Sequence, residues 1–134
     1  MDLSALPPAE FAFPGPLRDK LVAAILSGAK TATTSLAIEY GDDEPLPAVG
    51  DRSAVIDSAG RPVAAIEVTE VRVVRLADVD LRHALDEGEG DASVASWRAG
   101  HERFWNSADM RAALGDTFVV DDDTMVVAER FRVL

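Results

Sequence analysis

"LSGAKTATTSL", residues 26–36, is where a helix hands over to a strand. Upstream, Pro16 suits the first position of a helix, and Leu17, Leu21, Ala24 and Ile25 recur on one face at helical spacing. Gly28 supplies a residue that adopts the left-handed backbone with which many helices end. Downstream, "KTATTSLAI" has the β-branched and small residues of a strand. Alternate strand side chains share a face, so Thr31, Thr33 and Ser35 lie together, with Lys30 and Thr34 opposite unless the junction bends the lysine round. A cation among four hydroxyls (Thr31, Thr33, Thr34, Ser35) can orient a carbonyl or phosphate, or activate a threonine as nucleophile. A lysine just past a helix C-terminus is also favoured there by about 0.3–1 kcal/mol with no function at all.

Working outward, residues 1–15 carry Pro7, Pro8, Pro14 and Gly15 and read as a loose arm. "YGDDEPLPAVGD" reads as a loop. "RSAVIDSAG" and "RPVAAIEVTEVRVVRL" form a hairpin about Ser58-Ala59-Gly60. The acidic 77–87 stretch reads as a short helix. A longer helix is predicted over 92–114, with Val94, Trp97, His101, Phe104, Trp105 and Ala108 along one face. "TFVVDDDTMVVAERFRVL" closes the chain as one or two strands. Strands and helices mix without regular β-α-β alternation, which predicts an α+β fold.

Length and charge limit the function. A chain of 134 residues fits one domain with one real core. Cysteine is absent, which removes disulfides, thiolate nucleophiles and cysteine-ligated metals together. The start "MDLSALPPAEFAF" lacks a basic region followed by an apolar run, and no segment approaches the roughly 20 apolar residues of a membrane span. A cytoplasmic protein without membrane partners is the expectation. Acids outnumber bases 24 to 13, for a net charge of −11. Long duplex DNA or RNA is gripped by clustered Lys and Arg, so that partner is not expected here. A small nucleoside or a short single-stranded RNA is.

The second candidate segment is "LDEGEGDAS", residues 85–93. Gly88 and Gly90 flank Glu89 and free the backbone to aim its carboxylate into a cleft. Asp91 or Ser93 would cap the next helix, or Asp91 would face the substrate. Carboxylates serve as general acids and bases where histidine is scarce, and only His83 and His101 are present. His101 lies on the apolar stripe, where a packed, hydrogen-bonded histidine is the plain reading. The aromatic run "SWRAGHERFWNS" is core by its spacing, with Trp97 the candidate for a place at a cleft. No metal constellation occurs at a recognised spacing. Neither GxGxxG nor GxxxxGK[ST] is found, so no cofactor is expected.

Together, "GAKTAT" after an amphipathic helix, "PLPAVGDRSAVID", "AIEVTEVRVV", "EGEGDASVASWRAGHERFW" and "VVAERFRVL" resemble the ASCH domain family, in order and over residues 13–134, with 1–12 left as an arm. The resemblance implies a PUA-like fold, a small, mostly antiparallel β-barrel flanked by helices around a cleft, in a family associated with RNA. Some bacterial members are hydrolases. One group removes the acetyl group of N4-acetylcytidine, and ribonuclease activity belongs to another. Carried over by motif, the catalytic set is Lys30 and Thr33 of G-x-K-x-x-T, with Glu89. Thr31, Ser35, Tyr40, Arg52, Asp91, Trp97 and His101 are candidate substrate contacts. Many members carry arginine where this chain has Ser35; Arg52, Arg98 and Arg130 are the candidates to replace it.

The reading that follows is a hydrolase of a modified nucleoside or of single-stranded RNA. Thr33 would attack after losing its proton to neutral Lys30, and Glu89 would protonate the leaving amine. That role asks a lysine to fall about 3 units from its usual pKa near 10.4. A charged Lys30 that stabilises an oxyanion asks for no shift. The alternatives are a non-catalytic module that reads one splayed-out base, stacked on Trp97 or Tyr40, and a protein-interaction domain that has lost the site.

Overall fold

In the computed structural model, which describes residues 1–134, a curved sheet organises the chain. Its strands are β1 (Pro8–Ala9), β2 (Ala32–Leu36), β3 (Arg52–Ile56), β4 (Pro62–Arg75) and β5 (Met125–Val133). They lie in the order β1-β3-β4-β5-β2. Only β1 and β3 are parallel; every other pair is antiparallel. The sheet stays open, with β1 and β2 at its edges, so the fold is an α+β half-barrel. Four helices accompany it: α1 (Pro16–Ser27), α2 (Leu81–Asp86), α3 (Val94–Trp105) and α4 (Ala108–Leu114). No helix is long and apolar enough to cross a membrane.

Helix α1 begins with Pro16 and ends at Gly28, whose φ of 86° is the left-handed cap expected of it. Its buried face is Leu21, Val22 and Ile25, joined by Arg18; Leu17, read as part of the apolar face, is 39% exposed. Arg18 is buried because its guanidinium donates to the carbonyls of Phe11 and Ala12. Those bonds draw in the segment read as a loose arm. Phe11 enters one core with Leu21, Val22, Ile25, Val55, Ile66 and Phe131, and the Pro7 carbonyl accepts from the Ala54 amide. Residues 7–12 are therefore held in the domain.

The hairpin forms as read, β3 against β4, with Asp57 accepting from the Ala59 and Arg61 amides in the turn. The short helix is confined to α2, begun by Asp80, whose carboxylate accepts from the His83 amide. The single helix predicted over 92–114 is two. Ser93 caps α3, and Ser107 caps α4 by accepting from the Met110 amide. A serine that takes an amide for its own hydroxyl starts a new helix instead of continuing the old one. The C-terminal segment gives one strand, β5, which pairs with both β4 and β2. A second core, including Leu36, Leu76, Trp97, Trp105, Met110 and Val126, fills the side of the sheet under α3 and α4.

Candidate functional site

Strand β2 is an edge strand, and a cleft of about 810 Å³ is lined from both of its faces. On one face, Lys30, Thr34, Glu87, Glu89 and His101 border the cleft; on the other, Thr33, Ser35, Tyr40 and Glu129 do.

The first group is a buried polar network centred on Glu87. Lys30 is 2% exposed. Its Nζ donates to the Ala32 carbonyl at 2.8 Å, the Glu87 carboxylate at 3.3 Å and the Glu87 carbonyl at 3.4 Å. Those three acceptors occupy the three hydrogens of the ammonium. The other Glu87 oxygen accepts from the Thr34 hydroxyl and from Trp97 Nε1, both at 2.7 Å. His101 Nε2 lies 3.2 Å from Glu87 and His83 Nε2 3.3 Å. Because Thr34 spends its hydrogen on Glu87, its oxygen accepts from His83 Nε2 at 2.6 Å. His83 Nδ1 is left buried without a partner.

The acidities diverge inside this network. Burial alone pushes the Glu87 carboxyl up, but hydrogen bonds from His101 and His83 and the charge of Lys30 outweigh it and hold the group well below the usual carboxylate range. Burial likewise works against a charged His101, yet its hydrogen bond to Glu87 and the charges of Glu87 and Glu89 raise it above the ordinary histidine value. Its Nδ1 meets the Trp97 carbonyl at 2.9 Å, so both ring nitrogens face acceptors, which suits the imidazolium. Glu89 goes the other way. Burial raises its carboxyl, the Glu87 charge adds to this, and the attraction of Lys30 does not cancel them. Two carboxyls two residues apart thus shift in opposite directions, one held ionised and one biased toward keeping its proton.

The loop between them is fixed by Gly88. Its φ is +68°, and a Cβ there would lie 2.3 Å from the Ala29 carbonyl oxygen. The glycine expected to aim Glu89 instead lets residues 87–90 lie against the backbone that precedes Lys30. Glu89 Oε2 is 3.9 Å from Lys30 Nζ and 3.9 Å from His101 Nε2.

The predicted residues divide as follows. Lys30 and Glu89 come together. Thr33 lines the cleft but makes no hydrogen bond with Lys30; the hydroxyl in the lysine's network belongs to Thr34. Ser35 shares a hydrogen bond with the Tyr40 hydroxyl at 2.8 Å, and burial pushes the Tyr40 phenol up to about 12, so Tyr40 stays neutral. Asp91 borders the cleft and accepts from the Ser96 hydroxyl. His101 is both packed and at the cleft. Thr31 lies outside it, exposed, with its hydroxyl toward the Asp86 carbonyl. Trp97 corrects the expectation of a stacking surface. It is 0% exposed, its indole is bonded to Glu87, and its ring is covered by His101 with centroids 4.2 Å apart.

None of the arginines offered in place of the family arginine reaches the cleft. Arg52 pairs with Glu67, Arg98 with Glu102 and Asp122, and Arg130 with Asp86 and Glu70. Glu87, Glu89 and His101 each offer a ligand atom within 4.8 Å of the others, a spacing that could hold a cation. Lys30 already supplies positive charge to both carboxylates there, so a divalent ion would have to displace it.

Sequence reasoning missed Glu87, His83 and Glu129. His83 and Glu87 stand four apart on α2, a spacing that brings side chains together, and that signal was present. Glu129 had none, since only the β2–β5 register brings it to Thr33.

The ASCH domain model matches residues 10–134. Among solved structures, an ASCH domain from Lactobacillus crispatus is 31% identical, with a TM-score of 0.76 over 95% of this chain and 79% of that one. A protein from Enterococcus faecalis is 28% identical, with a TM-score of 0.74 over 86% of this chain and 67% of that one. ZmASCH from Zymomonas mobilis shares the fold at 13% identity, with a TM-score of 0.53 over 93% of this chain and 67% of that one. No curated protein matches the sequence.

Proposed function

The chain belongs to the ASCH domain family, and from that premise we propose that its cleft hydrolyses the amide of a small modified nucleoside such as N4-acetylcytidine. The observation that carries the reading is the pairing of a buried ammonium, Lys30, with a part-buried carboxyl, Glu89, which burial raises from its ordinary value. Lys30 stabilises negative charge that develops on the carbonyl oxygen, and Glu89 delivers a proton to the departing amine. The three acceptors around Nζ argue for this charged role of Lys30 over service as a neutral base.

The surroundings favour a nucleoside over a phosphodiester chain. Glu39, Glu44, Glu89, Asp91 and Glu129 all line the cleft, while two of its cations, Arg18 and Lys30, are engaged by the protein itself. Polyphosphate is repelled by such walls, whereas a neutral base with amide and amino donors is accepted by them. The same engagement of Lys30 supports a second reading, a binding module that holds one base without turning it over.

Incubation with N4-acetylcytidine, with cytidine followed by chromatography, separates the two. Turnover by the wild type, reduced about 10²–10⁴-fold in Glu89→Gln and absent in Lys30→Ala, is the expected result. Saturable binding of the nucleoside with no cytidine formed would establish the module instead.

A further inference from the structure

Resting on the hydrolase reading, one question is open: if Lys30 keeps its protons, what takes the hydrogen of Thr33? We propose that Glu129 is the general base for Thr33. The two residues are direct partners in the antiparallel β2–β5 ladder, so their side chains project from the same face with Cβ atoms about 4.5–5.5 Å apart. Both line the cleft. A glutamate at that spacing reaches a neighbouring hydroxyl directly or through one water.

Neither side chain has another employment. Glu129 makes no hydrogen bond or ion pair, although every arginine flanking it on β5 does: Arg130 holds Asp86 and Glu70, and Arg132 holds Glu67. An unpaired, largely buried carboxyl costs stability wherever it is ionised, so its retention at this position asks for a use. Burial, with the charges of Asp51 and Glu39, pushes the Glu129 carboxyl up to about 7. A carboxylate of that basicity is matched to proton transfer at neutral pH. The groups facing it are Asp51, Glu39 and the Tyr40 phenol, with Thr33 and Val71 beside it on the neighbouring strands.

The step balances. The Thr33 Oγ–carbon bond forms as the hydroxyl proton passes to Glu129. The carbon–nitrogen bond breaks as Glu89 protonates the amine. Water then attacks the threonine ester, its proton returns to Glu89, and Thr33 recovers its own from Glu129 as the carboxylic acid leaves.

The test uses p-nitrophenyl acetate, which needs no nucleoside. Wild type and Glu129→Gln are reacted between pH 5 and 9, acid-quenched, and acetylation of Thr33 is mapped by peptide mass spectrometry alongside nitrophenolate release. Glutamine keeps the shape and removes a charge, so a melting temperature no lower than wild type is expected. The proposal requires acetyl-Thr33 in the wild type, formed at a rate that climbs through about pH 7, and at least about 100-fold slower in Glu129→Gln. Equal rates in the two proteins, or no acetyl-Thr33 in the wild type, would overturn it. Glu129-dependent labelling without cytidine release from N4-acetylcytidine would uphold the base while removing the nucleoside substrate.

Discussion

Glu87→Ala is expected to lower folding stability by about 3–5 kcal/mol in a urea titration. The carboxylate is 1% exposed and accepts from Lys30, Thr34 and Trp97, with His83 and His101 within 3.3 Å. Its removal leaves the buried ammonium of Lys30 without this counter-charge and the Trp97 indole N–H without its acceptor, and an unpaired buried charge is the most expensive remnant of a broken ion pair. The pH dependence has two limbs. Glu87 is depressed in the folded state, so its contribution is present above the ordinary glutamate value near 4.3 and is lost as pH falls through its lower folded value. His101 is raised, so its contribution is full below about 6.5 and is lost as pH rises through its higher folded value. The network therefore stabilises most between those values, and the loss in Glu87→Ala is largest there.

Gly88→Ala is the second large effect, roughly 2–5 kcal/mol from left-handed strain together with overpacking. The Cβ would meet the Ala29 carbonyl oxygen and carbon and the Lys30 nitrogen, all backbone atoms that cannot swing aside. Relief requires the 87–90 loop to part from the Ala29–Lys30 backbone that leads into β2, which separates Glu89 from the ammonium. Gly90→Ala is the control. Its φ is +91°, yet nothing lies within 4 Å of the new Cβ, so only the backbone strain of about 1–3 kcal/mol applies. A thermal melt of both variants measures the close approach as the difference between them, and cytidine release from N4-acetylcytidine is expected to collapse in Gly88→Ala alone.

The parts legible in the sequence were those set by local chemistry. Pro16 and Gly28 bounded α1, the β-branched run after Lys30 gave β2, and alternation put Lys30 and Thr34 on one side and Thr33 and Ser35 on the other. The break at Ser107 was misread because the apolar stripe runs past it, while a single capping hydroxyl ends the ladder. Leu17 lies off the buried face and Arg18 on it because the Phe11 and Ala12 carbonyls accept from the Arg18 guanidinium, a contact with no local signature. The site was half legible for a related reason. Lys30 and Glu89 stand beside glycines that mark their segments, whereas Glu87 reads as one more acid at a helix end until Trp97, Thr34 and two histidines close on it. Glu129 depends wholly on register between strands nearly a hundred residues apart, which pattern reading does not supply.

One network beside a buried lysine splits the acidities of neighbouring carboxyls, holding Glu87 well below the usual carboxylate range and raising Glu89 from its ordinary value. A carbon-13 NMR titration of the glutamate carboxyls reads this split residue by residue. Glu87 is expected to titrate well below the usual carboxylate range, Glu89 above its ordinary value, and Glu129 near 7. Glu87 and Glu89 both titrating at the ordinary value near 4.3, or in the reverse order, would contradict it.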